Sequence, residues 1–227
     1  MQAGFLSATW IVLRKDVTVE LRTREVVTTT GFFGILMTLL ASLAYTAGPN
    51  VTTRIAPGTI WLTLAFSSVL ALGRAWQRER EESAFLALLV SPVPRGAIFL
   101  GKMLGVFLFV LAVEIIVVPV AALVLHVDLR GGGPMLAGLL VLGAIGVAAT
   151  GTLFGAMTVR TRARDLVLAT VLFPLLSPAL LTGVTGTREL LGGAPFEELT
   201  DYFLLLVVFD TVAIAGGLGL FGALVDD

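Results

Sequence analysis

Long apolar runs separated by short polar breaks recur from residue 28 to the end of the chain, and six of them are of bilayer-crossing length. They lie over roughly 28–47, 55–73, 103–126, 134–159, 166–186 and 202–225. A spanning helix needs about 20 mainly apolar residues, and each run comes near that. The predicted architecture is therefore all-α, a polytopic bundle of six transmembrane helices. Prolines at 119, 174 and 178 fall inside runs, where a neighbouring helix can cover the carbonyls they free. The fourth and sixth runs are rich in small residues, as in "GTLFG" (Gly151 to Gly155) and "GGLGLFG" (Gly216 to Gly222). Such spacing predicts close approach of helix backbones. No internal repeat is evident, so an inverted-repeat transporter gains no support.

The pattern changes twice. Over residues 1–27, Leu6, Trp10, Leu13, Val17 and Leu21 recur at spacings of four, three, four and four, which is one helical face. Arg14, Lys15, Asp16, Glu20, Arg22 and Arg24 fill much of the remainder, with Glu20 and Arg24 a favourable i, i+4 pair. This predicts an amphipathic helix lying in the membrane interface, preceding a six-span domain over 28–227.

The second change is an insert between spans two and three, at 74–102, within "GRAWQREREESAFLALLVSPVPRGAIFLGK". It opens on the densest charge cluster in the chain, a solvated turn or two continuing the second span. Phe85, Leu88 and Leu89 then fall at i, i+3 and i+4 and form an apolar patch on a short helix. Pro92 and Pro94 end that helix, and Arg95 and Lys102 anchor the return into the third span. An apolar patch in a charged loop must be covered. It either folds back on the membrane or its own bundle, or serves as a knob for a soluble partner that acts on the spans.

Composition supports the membrane reading. Of 227 residues 57% are hydrophobic and only 14% charged, with mean hydropathy +0.99, so the bilayer must be the main solvent. A formal net charge of −1 argues against nucleic acid as a partner. The chain has no cysteine, which excludes disulfides, thiolate metal sites and c-type haem attachment. With the N-terminus placed inside, twelve of the 15 basic residues are cytoplasmic and three, Arg54, Arg130 and Arg188, are outside. The positive-inside rule then places both termini and the insert in the cytoplasm.

Four features bear on chemistry. "GAIFLGKM" (Gly96 to Met103) nearly matches the phosphate-binding loop, but Met103 cannot ligand magnesium and the segment opens a membrane helix with no strand before it. The chain is expected to bind no ATP. Glu114 in the third span and Asp210 in the sixth are costly in lipid and are candidate functional acids, for a polar pathway or a proton relay. They are also the only grounds for a proton-coupled secondary transporter. The single histidine, His126, near the outer end of the third span, is weighed as a haem ligand against an ordinary interfacial residue.

The stretch "RIAPGTIWLTLAFSSVLAL" (54–72), followed by "EREESAFLALLVSPVPRGAIFLGK" (79–102), resembles the CcmB permeases of cytochrome c maturation. The "LLVSPVPR" segment is shared more widely with ABC-2-type permeases, whereas the leading "RIAPG" and Trp61 are specific to CcmB. Pro119 and "LFPLLSPALL" (172–181) fit the same family. The resemblance implies an ABC-transporter membrane subunit of the bacterial inner membrane, present in two copies. It would work with a CcmA-like ATPase and with CcmC-like and CcmE-like haem-handling proteins. The chain itself would be no enzyme and hold no cofactor; the partner uses ATP and the complex handles haem. It would either move haem or convert ATP hydrolysis into release of a haem-loaded chaperone, and the single histidine favours the second. Residues 79–95 would then be a coupling helix in a groove of the ATPase. Phe85, Leu88 and Leu89 would anchor it, Glu79, Glu81, Glu82 and Arg95 would form the polar rim, and Pro92 would set its angle. An ABC-2 exporter of a lipid, glycan or drug and a non-transporting assembly scaffold are the other readings.

Overall fold

The computed structural model describes residues 4–44, 51–81, 84–129, 131–158 and 164–226, with side chains at 51–53, 78, 80, 81, 84, 86, 158, 164–169 and 226 outside that description. Eight helices follow one another: α1 (Phe5–Thr23), α2 (Glu25–Ala44), α3 (Val51–Glu81), α4 (Ala84–Val90), α5 (Arg95–Val124), α6 (Gly133–Thr158), α7 (Arg164–Leu191) and α8 (Phe196–Asp226). Among the described residues, α2, α3 and α5 to α8 are long and apolar enough to span a membrane. They are the six predicted spans.

Several boundaries move, each for a local reason. The third span begins at Arg95 rather than 103, because Pro94 holds the N-cap position and nothing after it breaks the helix. Gly96 to Lys102 is thus helix and not loop. The sixth span begins at Phe196 rather than 202, and Glu197 and Glu198 lie in its first turn, where carboxylates complement the helix dipole. The first helix stops at Arg24, whose left-handed backbone (φ 53°) returns its N–H to the Glu20 carbonyl. The second span starts on the next residue.

In the bundle α6 is the most enclosed span, packed against α3, α5, α7 and α8, while α1 lies along α5 and α2 against α3 and α5. Backbone hydrogen bonding inside each helix already satisfies the peptide groups, so packing decides the arrangement. Packing here is side chain into glycine notch. A Cβ placed on Gly151 would come within 2.3 Å of Leu72, and one on Gly155 within 2.1 Å of the Trp76 indole. Leu72 and Trp76 are themselves one turn apart on α3. The glycine pair therefore receives two large side chains instead of bringing two backbones together, which corrects the expectation drawn from "GTLFG". Gly143 and Gly183 likewise make room for Trp61, whose Nε1 donates to Thr187 Oγ1 at 2.8 Å and ties α3 to α7. Gly217 accommodates Phe99.

Filling one notch should cost stability, whereas a methyl on an open helical glycine should not. Gly155→Ala is expected to destabilise the purified protein by about 1–3 kcal/mol through overpacking against Trp76. Gly216→Ala, where nothing lies within 4 Å, should be neutral or slightly stabilising. Thermal unfolding of both variants in the same detergent checks the contrast.

Candidate functional site

The ends of α3 and α5 that flank the insert carry a buried charge cluster, completed by α1. Glu79 sits on the last described turns of α3, and Lys102 lies two turns into α5. Lys102 Nζ is 2.5 Å from Glu79 Oε1 and 2.9 Å from Asp16 Oδ2, and it lies 5.9 Å from the centre of the Trp76 ring. Lys15 Nζ meets the same Glu79 oxygen at 2.5 Å and Asp16 Oδ1 at 3.3 Å. Two ammonium groups and two carboxylates balance to zero. Lys102 and Glu79 are almost wholly enclosed, with side-chain exposures of 5% and 8%. Removing one member of such a buried pair leaves an uncompensated charge and typically costs 3–5 kcal/mol.

Small residues seat α1 there. A Cβ on Gly101 would fall 2.6 Å from Val12 Cβ and 2.9 Å from the Thr9 carbonyl, so only glycine admits α1 at this depth. One turn on, Gly105 faces Asp16. Glu20, also buried, accepts the Val27 N–H at 2.9 Å and so caps the first turn of α2 across the Arg24 bend. The predicted amphipathic helix exists, but its orientation has a twist. Leu6, Trp10, Ile11 and Leu21 point away from the bundle, while Lys15, Asp16 and Glu20 turn inward.

Protonation follows from this geometry. Burial is the largest single effect on Glu79 and disfavours its charge, but Lys102 and Lys15 together outweigh it and hold its carboxyl below the usual range. Lys15 is likewise opposed first by burial, and Asp16 and Glu79 raise its ammonium above its ordinary value. A lowered carboxylate contributes stability above its unfolded value and loses it as pH falls through the folded one; a raised ammonium does the reverse at the alkaline end.

The insert differs from the expected exposed knob. Phe85 is buried in the chain's own core, edge-on to Trp76 at 5.3 Å between ring centroids and to Phe221 at 6.4 Å. Leu88 and Leu89 are half-buried and pack on the same core. Arg95 Nη1 donates to the Leu89 carbonyl at 2.7 Å and so satisfies the end of α4. The assignment of Phe85 as an outward anchor, and of Glu79 and Arg95 to an outer rim, is therefore corrected. Aromatic neighbours on α3 and α8 outcompete solvent for Phe85, and the ammonium groups of Lys102 and Lys15 draw Glu79 inward. The outer edge of the insert is Ala87, Val90 and Pro92, with Val90 88% exposed. Glu82 and the Glu81 side chain lie outside the described residues.

Lys102, the lysine of the near-match to a phosphate loop, is committed to Glu79 and Asp16 inside a helix. Glu114 and Asp210 are both buried within their spans, Glu114 facing α3 and Asp210 lying beside Gly146 of α6. The structure places them apart, on α5 and α8. His126 is exposed and adopts a left-handed backbone (φ 55°) just past α5. Its N–H and that of Val127 return to the carbonyls of Leu123 and Ala122, the helix-ending turn that Gly193 (φ 88°) makes after α7.

Comparison with known proteins bears on this architecture directly. Residues 7–220 match the family described as CcmB protein. The chain belongs to the CcmB family. Relatives bearing the name heme exporter protein B include one from Bradyrhizobium diazoefficiens, 26% identical over 222 residues, or 94% of this chain and 98% of the relative. Another, from Paracoccus denitrificans, is 32% identical over 187 residues, covering 81% of this chain and 83% of the relative. A third, from Pseudomonas aeruginosa, is 28% identical over 194 residues, 82% and 85% respectively. CcmB membership and six spanning helices make the chain a multi-pass inner-membrane protein.

Sequence reading missed the role of Lys15 and Asp16 in this CcmB chain, and took Lys102 only as an anchor. The available signal was "GKMLG" (Gly101 to Gly105), two glycines one turn apart beside a lysine in an apolar run. Three outcomes are expected. Lys102→Met should destabilise by about 3–5 kcal/mol and release α1, read as gained protease access to its backbone. The wild type should lose stability as pH falls below the usual carboxylate range near 4.5, and Glu79→Gln should lack that part of the acid limb. His126→Gly should keep its turn and raise stability by about 1 kcal/mol, since glycine adopts the left-handed region without strain.

Proposed function

We propose that this chain is the membrane subunit of a haem-exporting ABC transporter, in which a separate ATPase drives the six-span bundle through the insert. The names of its relatives, heme exporter protein B, support the cargo. The observation that carries the coupling is the way α4 is joined to the bundle. Phe85 fixes α4 to Trp76 on α3 and Phe221 on α8, and Arg95 ties its end to the start of α5. A push on such an insert moves the spans as a unit, because none of these contacts leaves slack.

The docking edge is then Ala87, Val90 and Pro92, and not the Phe85 face. Pro92 ends α4 and sets the angle at which it meets α5. The near-match to a phosphate loop is spent on internal ion pairs, so ATP binding and hydrolysis belong to a CcmA-like partner. Two copies of each subunit, with CcmC-like and CcmE-like proteins handling haem, complete the assembly. Its work is release of the haem-loaded chaperone more than passage of haem through this chain. The excess of basic residues in the insert and the N-terminal segment supports a cytoplasmic insert and cytoplasmic termini, with α1 laying its outward Leu6, Trp10, Ile11 and Leu21 in the lipid interface.

Co-purification of the ATPase with membrane-inserted variants tests the docking edge. Val90→Asp should abolish it by placing a charge in the contact, while leaving the subunit folded, since Val90 packs on nothing internal. Phe85→Ala should instead lower the accumulation of the subunit itself, by a core-truncation cost of about 3–5 kcal/mol. Retention of the ATPase by Val90→Asp and Pro92→Asp at the wild-type level would refute docking at this edge.

A further inference from the structure

The proposal concerns the middle of the membrane, away from the insert, and does not rest on the haem reading. Between α3 and α5 lies a small cavity of about 20 Å³, bordered by Thr63, Ser67 and Ser68 of α3 and by Glu114 and four valines of α5. That volume holds one water-sized particle. All four oxygen-bearing side chains are more than nine-tenths buried. Glu114 Oε1 and the hydroxyls of Ser67 and Ser68 have no hydrogen-bond partner within the chain.

Those idle hydroxyls are informative. A serine or threonine inside a helix ordinarily donates to the carbonyl one turn back. Thr38, Thr150, Thr182, Thr185 and Thr211 all do so here. Ser67 and Ser68 do not, although their backbone positions allow it. Both residues border the cavity, and rotation about χ1 would turn their free hydroxyls toward the carboxyl group on its far wall. Gly34 of α2 packs against the same residues: a Cβ there would lie 3.2 Å from Ser67 Oγ and 2.5 Å from Val117. On its other flank Glu114 borders an apolar cavity of about 320 Å³ between α5 and α6. Among the described residues lining either cavity, Glu114 is the only titratable one, so neither α3 nor α6 supplies it a counter-charge.

A carboxyl oxygen and two hydroxyls without partners, on residues that border one small cavity, supply the donor types of a small cation site. We propose that Glu114, Ser67, Ser68 and Thr63 bind a single small monovalent cation, either sodium or a proton that resides on the Glu114 carboxyl beside one water. The hole is far too small for haem or a lipid headgroup. The oxygens of Ser67 and Ser68 accept toward the cation while Glu114 balances its charge, and all are released from competition with bulk water by burial.

The test uses the full chain purified in lipid nanodiscs, as wild type, Glu114→Gln and the double variant Ser67→Ala/Ser68→Ala. Unfolding temperature is measured while NaCl replaces choline chloride at constant ionic strength, and separately while pH is varied near neutrality without sodium. If sodium is the ligand, the wild type gains about 2–4 °C with NaCl at saturation. If a proton is, the pH arm shows that gain, and an infrared band of a protonated carboxyl is lost on Glu114→Gln. In either case Glu114→Gln abolishes the dependence. Should that variant not fold, Ser67→Ala/Ser68→Ala, which keeps the carboxyl and removes two donors, must at least halve it. Identical responses of wild type and variants in both arms, with no carboxyl band, mean that the hole holds only water or nothing, and overturn the proposal.

Discussion

A lysine ammonium enclosed by protein at the root of a spanning helix admits few arrangements, and the rest of this structure is organised around the one it adopts. Lys102 must find negative charge within hydrogen-bond reach, or its burial costs several kcal/mol. Glu79 supplies that charge from the other side of the insert, which fixes the separation of the ends of α3 and α5. Asp16 supplies it from α1, which fixes the depth of that helix against the bundle. Trp76 of the same α3 end lies beside Lys102, fills the Gly155 notch of α6 and meets Phe85 edge-on. The insert is therefore an outgrowth of the core and not an appendage.

Elsewhere the bundle is held by shape. Lipid offers no hydrophobic drive for one span to prefer another, so association depends on contact density. Large rings of α3 and α5 enter glycine positions of α6, α7 and α8, and each such ring contacts atoms all around its edge. Trp61 alone meets notches on two different helices and closes a hydrogen bond to Thr187 as well. An arrangement of this kind tolerates little sliding of one span past another.

How much of this was legible beforehand depends on the range of the interaction. The six spans were readable because their signal is local hydropathy, and the ends of α5 and α8 were misjudged where charged or proline-flanked turns remain helical. The helical nature of 5–23 was readable from the four-three-four spacing. Its inward charges were not, because Lys15 finds Glu79 64 residues away and Lys102 finds Asp16 at a separation of 86. The i, i+3, i+4 pattern of Phe85, Leu88 and Leu89 correctly marked an apolar patch but could not say what covers it. A partner and the chain's own Trp76 satisfy that pattern equally. Glu114 and Asp210 stood out as acids in apolar runs, whereas the hydroxyl residues that share a cavity with Glu114 only acquire meaning once α3 lies beside α5.

The long reach of the α1 ion pairs has a consequence for how the protein is made. The chain emerges from the ribosome N-terminus first, so α1 is complete long before residues 79 to 105 exist. Its seat on Gly101 and Gly105 belongs to the third span, and the helix has nowhere to dock until that span has entered the bilayer. Through the intervening synthesis of two spans, Lys15 and Asp16 lack Glu79 and Lys102 and have only each other, water and headgroups to pair with, while Glu20 can already cap α2 and Leu6, Trp10 and Leu21 supply grip on the lipid surface. The first helix is thus parked at the membrane early and folded onto the protein late. Nascent chains halted before Gly101 should leave it loose, and those halted well beyond Gly105 should hold it fast.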